Sequence, residues 1–435
     1  MDNKNGFTLI ELLAIIVILA IIAVITVPII LGIIDDSSKG AAVNSAYGFR
    51  DAVQNYYAYK SLQDSQSELP NGIVMALNLP SDFSASGELP SDGWVNLTNG
   101  NVTEFSLKFG EYVVTKLGDE DVVSEKNDYV VYNIPEEYQR VEYLQSNGSQ
   151  YIDTGTYLLD GEKASIKFSL NDYKDYQVIF GQTSTGFGSL QARPKFNWYY
   201  KTSGISVDPI LNKLYTCTAG FNGDKGEVNL DGQTGVFDVS EDNTNMLIFS
   251  RQNTSGYEMN GKVYSFGMGV RRSLVPVVRK SDNKPGMLDM ANYSRNLLKL
   301  SSGSYDVRGV AVQISDDGQI TMSGTAIASG GRTIKLSPVF ELKAGEYVLS
   351  NDNPNSQAQI WLNNAATNNY INHHNVFLED TSVFFGINVV EGATYNESFN
   401  VMLNAGDEPL PYEPYRGKSF YTNEGTGEFT AGPEL

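Results

Sequence analysis

Gly6-Phe7-Thr8-Leu9-Ile10-Glu11-Leu12 leads into an apolar run in which no charged residue occurs from Leu12 to Ile34. A run of this length is long enough to cross a bilayer, for which roughly 20 apolar residues suffice. Glu11 stands at its edge. A carboxylate near a membrane segment costs about 2.5–3.5 kcal/mol on insertion scales, so it needs a partner and a task. Lys4 and the amino terminus precede the run, and Asp35 and Asp36 follow it. The positive-inside tendency therefore places the bulk of the chain outside the cell membrane.

The residues from Gly6 to Leu12 resemble the class III signal of type IV pilins and pseudopilins. That resemblance implies a leader, 1–6, clipped after Gly6 by a prepilin peptidase that also methylates the new amine of Phe7. It further implies that Glu11 neutralises the amine of a neighbouring subunit during filament assembly. The leader has Lys4 as its single basic residue, fewer than many pilin leaders carry. Two other readings stand beside this one. An ordinary secretory signal has a shorter apolar core and a small-residue cleavage site after it, and no such site follows here. A plain membrane anchor explains the length but gives no reason for Glu11.

The helix is expected to continue to about residue 60, with 7–34 as its membrane or filament-core half. Pro28, grouped with Phe7 and Glu11 as an assembly residue, is expected to kink the helix or melt it locally. Beyond it, Ala42, Ala46, Phe49, Val53 and Tyr56 recur at steps of four and three, one stripe of a helix that packs on a globular core. Strand-like runs at 102–116 and 128–133 supply a small antiparallel sheet within about 93–133. The Ser- and Pro-containing stretch 63–91 reads as the connecting loop. Residues 7–133 thus read as a pilin module, a long helix plus a three- or four-stranded sheet.

From Ile134-Pro135 the character changes to short strands and tight turns. The stretch from Tyr138 to Gly155, the passage from Gly261 to Asn283, and Gly286-Met287-Leu288-Asp289 resemble concanavalin-like, laminin-G-like jelly-roll modules. The ending expected of that family appears only at Gly417 to Phe429, after some 125 residues of other sequence. The final residues are also too few to build a core alone. The jelly roll is therefore assigned to 135–290 plus 417–435, with 291–416 inserted at an exposed loop; a tandem third domain is the alternative. The insert, with strand-like runs at 310–315, 320–325, 333–336, 345–349, 359–362, 383–389 and 399–403, resembles carbohydrate-binding-like β-sandwiches. The fold class is an α+β pilin module followed by two all-β sandwich domains, the third inserted into the second.

Acidic residues number 51 against 31 basic ones, a net charge of −20. That argues against nucleic-acid binding, which requires a basic stripe to neutralise phosphates. One cysteine, Cys217, permits no intrachain disulfide, and with His373 and His374 as the only histidines a structural zinc site is excluded. No catalytic constellation is expected: the two histidines are adjacent in an Asn-rich loop, and no pair of acids is placed across a cleft. No cofactor is assigned. Ca²⁺ is chemically compatible with the oxygen-rich loops, but no run has the EF-hand order. Binding is the expected activity. Candidate sugar-stacking residues are Trp198, Tyr199 and Tyr200 in the second module and Trp361 and Tyr370 in the third. Alternation along a strand places one of Trp198 and Tyr199 in the core.

The expected protein is a minor, tip-located pilin rather than an enzyme. It is membrane-anchored before assembly and then displayed on a surface filament. Its partners are other pilin subunits, the prepilin peptidase, and a glycan or protein ligand. A pilin-anchored glycan hydrolase, or a pseudopilin of a secretion or DNA-uptake machine, is the alternative.

Overall fold

The computed structural model describes residues 9–435 except 64–68, 71, 81, 86, 119–120, 128–129, 174–175, 183–186, 194, 200–204, 241–243, 252–255, 270, 292, 295, 343, 372–373, 411, 414 and 418. It divides into two compact units, Met1–Ala291 with Phe420–Leu435, and Asn292–Ser419.

Helix α1 spans Leu9–Gln63, 55 residues, and Pro28 lies inside it. The local melting expected at Pro28 does not occur. Proline removes one backbone donor, but the turns on either side are already formed, so the helix continues without a new nucleation step. Thr26 adds a bond one turn back, its Oγ1 donating to the Ile22 carbonyl at 2.8 Å. The second half buries Ala42, Ala46, Phe49, Val53 and Tyr57. Tyr57 thus takes the core position expected of Tyr56, whose hydroxyl instead donates to Asp82 Oδ1 at 2.6 Å.

The stripe packs on a five-stranded antiparallel sheet in sequence order, β1 (Gly72–Met75), β2 (Asp92–Thr98), β3 (Asn101–Phe109), β4 (Tyr112–Lys116) and β5 (Val123–Lys126). Strand β1 lies in the stretch read as loop, so the sheet is wider than expected. No strand forms at 130–133. There the Val131 N–H donates to Ser106 Oγ at 3.0 Å, and its carbonyl accepts from Trp94 Nε1 at 2.8 Å. Side chains have replaced the ladder as partners for that backbone.

In the same unit, two sheets face each other across one core. The larger, of eleven strands, has Lys163–Leu170 and Asn260–Met268 paired near its centre; the smaller runs through Gln177–Gly181, Ser189–Arg193 and Lys195–Tyr199. Their inner faces bury Phe168, Phe180, Phe196, Trp198, Tyr215 and Phe266 together. Two antiparallel sheets packed face to face over one apolar core make a β-sandwich. The turn after Lys225–Leu230 places both Asp231 (φ 48°) and Gly232 (φ 86°) in the left-handed region, as a two-residue hairpin loop requires. Phe420–Tyr421 pairs with Lys284–Asp289, and Thr430–Ala431 pairs with Leu144–Asn147. The sandwich is therefore completed by strands from both sides of the second unit.

The pilin-like sheet and the sandwich touch within this unit. Lys167 Nζ lies 2.5 Å from Asp92 Oδ2, and Asn78 lies buried over Gly267, where a Cβ would meet its Nδ2 at 1.9 Å.

The second unit has three antiparallel sheets around one core. Val310–Ile314 and Ile320–Thr325 form part of the first, Thr381–Asn388 and Gln359–Asn364 the middle of the second, and Gly345–Asn351 the middle of the third. Val312, Ile320, Ile360, Leu362, Phe385 and Leu403 meet at the centre. The strand expected at 333–336 is absent. That segment is a strap lying against the second sheet, held where the Leu336 N–H donates to the Phe385 carbonyl at 2.9 Å and the Phe385 N–H donates to Ser337 Oγ at 2.9 Å.

Candidate functional site

Every side chain from Leu12 to Ile34 is exposed. At 1.5 Å per residue this apolar half of α1 is about 34 Å long, enough for a hydrocarbon core of about 30 Å. A bare surface of that kind in water would forfeit about 25 cal/mol for each Å² of apolar area, so it requires lipid or other helices around it. Gly6, Phe7 and the side chain of Glu11 lie outside the described residues.

Where the helix leaves this apolar half, Asp35 anchors it to the sheet. Tyr112 donates to Asp35 Oδ1 at 2.6 Å, and Lys126 Nζ lies 2.5 Å from the same oxygen. The Lys126 hydrogen bond, then that of Tyr112, holds the Asp35 carboxyl below the usual carboxylate range. Near the far end, Asp82 ties the loop between β1 and β2 back to the helix. Lys60 Nζ approaches its Oδ2 at 2.6 Å, and Lys60 followed by Tyr56 depresses its pKa.

The five aromatic candidates separate by burial. Trp198 is core: it is 3% exposed, its Nε1 donates to the Phe187 carbonyl at 3.0 Å, and its ring stacks on Phe237 at 4.9 Å. It is withdrawn as a ligand contact because no face is open. Tyr199 is on the outer side with the Arg251 guanidinium 4.5 Å from its ring centroid. Tyr200 lies outside the described residues, as does His373. In the basic pairs at 271–272 and 279–280, Arg271 is engaged with Glu162 at 2.7 Å and Arg279 with Asp282 at 2.7 Å.

In the second unit Trp361 and Tyr370 meet edge to face, with centroids 5.0 Å apart and planes at 70°. Tyr370 is 51% exposed. The ladder explains the meeting. Asn363 is paired with Tyr370 on one side and with Phe384 on the other, and Trp361 is paired with Gly386. Directly paired residues share a face, so all five lie on the side of the sheet away from Ile360 and Leu362. The strap crosses this face. Its Arg332 carbonyl accepts from Asn363 Nδ2 at 2.9 Å, and the Arg332 guanidinium sits 4.8 Å from the Tyr370 ring centroid. Arg332 escaped the sequence reading because nothing local marks it. Its only signal is Gly386, a glycine inside a strand, which often marks close approach of another backbone. A Cβ there would meet the Arg332 carbonyl at 2.0 Å.

Residues 1–27 match the family model for the prokaryotic N-terminal methylation motif. No curated protein and no solved structure matches the chain. Together with the exposed apolar half of α1, the motif supports a type IV pilin or pseudopilin: a membrane-anchored precursor, processed by a prepilin peptidase and assembled with other subunits.

Proposed function

We propose that the protein is a minor type IV pilin that presents its β-sandwich units as a non-catalytic adhesin for glycans, from the tip of the filament. The observation that carries this reading is the Trp361–Tyr370 pair on an outer sheet face, with Tyr370 exposed and Trp361 half-buried beside it, joined in one chain to a pilin-type N-terminus. An aromatic ring half open to solvent offers the apolar faces of a sugar a flat partner, while neighbouring amide side chains suit its hydroxyls. The large globular part favours a tip position. About 300 residues beyond the pilin-like module would crowd a shaft if every subunit carried them, whereas a terminal subunit has no such constraint. The sandwich of the first unit is read as a laminin-G-like module.

The test is a glycan array probed with the full chain in detergent, beside Trp361→Ala. Retention of defined glycans without turnover, reduced at least tenfold by the substitution at unchanged thermal stability, is expected. Cleavage of the bound glycans would replace the adhesin with a hydrolase. Absence of any glycan binding would remove the glycan reading.

A further inference from the structure

We infer that the outer face bearing Trp361 and Tyr370 is built for a saccharide carrying a carboxylate, with Arg332 as the group that selects the charge; this rests on the glycan-binding reading above. The backbone beneath Arg332 is fixed from two sides. Gly386 leaves space for its carbonyl, and the fully buried Asn363 donates to that same carbonyl at 2.9 Å. The Asn363 side-chain oxygen accepts no bond among the described residues, so this donation to the Arg332 carbonyl is what its buried amide contributes, and it sets the position of the strap. The guanidinium then lies against the ring of Tyr370 rather than against an acid. Among the described residues it has no carboxylate partner, although the chain carries 51 acidic residues. The next cation on the strap, Lys335, likewise rests on an aromatic ring, its Nζ 5.3 Å from the centroid of Phe384 on the same face.

The combination narrows the ligand. Two rings meeting edge to face suit the apolar side of a pyranose. A planar fork of N–H donors, held on a ring and left without an acid, suits a carboxylate that it can bind through two parallel hydrogen bonds. A net charge of −20 repels acidic polymers at long range, so selection for them must come from a local cation of this kind. Uronic acids and sialic acids share the required chemistry: a pyranose ring with a carboxylate attached. A sulfated sugar offers a tetrahedral anion in place of the planar one.

The experiment measures binding of the full chain in detergent to four probes: an oligouronate, its methyl ester, sialyllactose and a sulfated neutral oligosaccharide. Wild type is expected to bind at least one of the two carboxylated probes at least tenfold more tightly than the ester, and more tightly than the sulfated probe. Arg332→Gln should abolish the preference for acid over ester while retaining binding to the ester. Arg332→Lys should restore only part of it, because an ammonium cannot form the fork. Trp361→Ala should weaken acid and ester together. Equal binding of acid and ester, or an Arg332→Gln variant that keeps the preference, would overturn the inference while leaving glycan binding intact. Tighter binding of the sulfated probe would overturn the carboxylate assignment. Failure of every saccharide to bind would overturn the glycan reading itself.

Discussion

At the scale of single residues, the chain places its polar groups where a backbone must be held. Asn363 fixes the strap and Asp35 fixes the helix. Asn78 instead acts by packing alone, its amide buried over Gly267 between the pilin-like sheet and the sandwich without a hydrogen-bond partner among the described residues. None of these tasks is legible in the sequence, because each depends on a residue distant along the chain. Trp198 and Trp361 show the same limit: both occupy short β-type runs, yet one is core and the other lies on an outer face. Alternation says that a strand has two faces, but not which is covered. Gly267 gives a direct test of the packing inside the first unit. Gly267→Ala should lower stability by about 1–3 kcal/mol, the range for overpacking a filled site, read as a reduced thermal midpoint. Adding Asn78→Ala should restore part of the loss, since a Cβ at 267 meets the Asn78 amide first. An unchanged midpoint in Gly267→Ala would show that the contact carries no weight.

At the scale of elements, local chemistry was legible wherever it was self-contained. The turn residues Asp231 and Gly232, the helical stripe from Ala42 to Val53 and most strands could be read from spacing. Strand β1 and the strap at 331–337 could not, because one is short and the other owes its path to Gly386 and Phe385. The loop between β1 and β2 is pinned to α1 by the Asp82 cluster, and its pH dependence follows from the depressed carboxyl. Because the folded pKa lies below the unfolded one, the stabilisation is fully present above the usual Asp value of about 3.9. It is lost as pH falls through the depressed folded value. Protection of the Phe83 amide, which donates to the Pro80 carbonyl at 3.0 Å, should therefore fall as the solution is acidified below about pH 4. In Asp82→Asn that protection should be lower from the outset and free of this pH step. An identical step in the variant would assign it to another group.

At the scale of the whole molecule, an exposed apolar half-helix is joined to two β-rich units, one of them completed by strands that follow the other in sequence. The N-terminal motif was the most legible feature of the chain, because its information is contiguous and its chemistry is set by the membrane. The face proposed to bind a ligand was the least legible, because it is assembled from Arg332, Trp361, Asn363 and Tyr370 by strand pairing and a crossing strap. These parts have a common purpose only if the N-terminus is processed as a pilin and carried into a filament. Mass spectrometry of this subunit in sheared surface filaments tests that most directly. The account predicts an N-terminal peptide that begins at Phe7 and carries one methyl group on its amine. Filaments that lack the chain, or a chain that keeps residues 1–6 in the presence of an active prepilin peptidase, would contradict it.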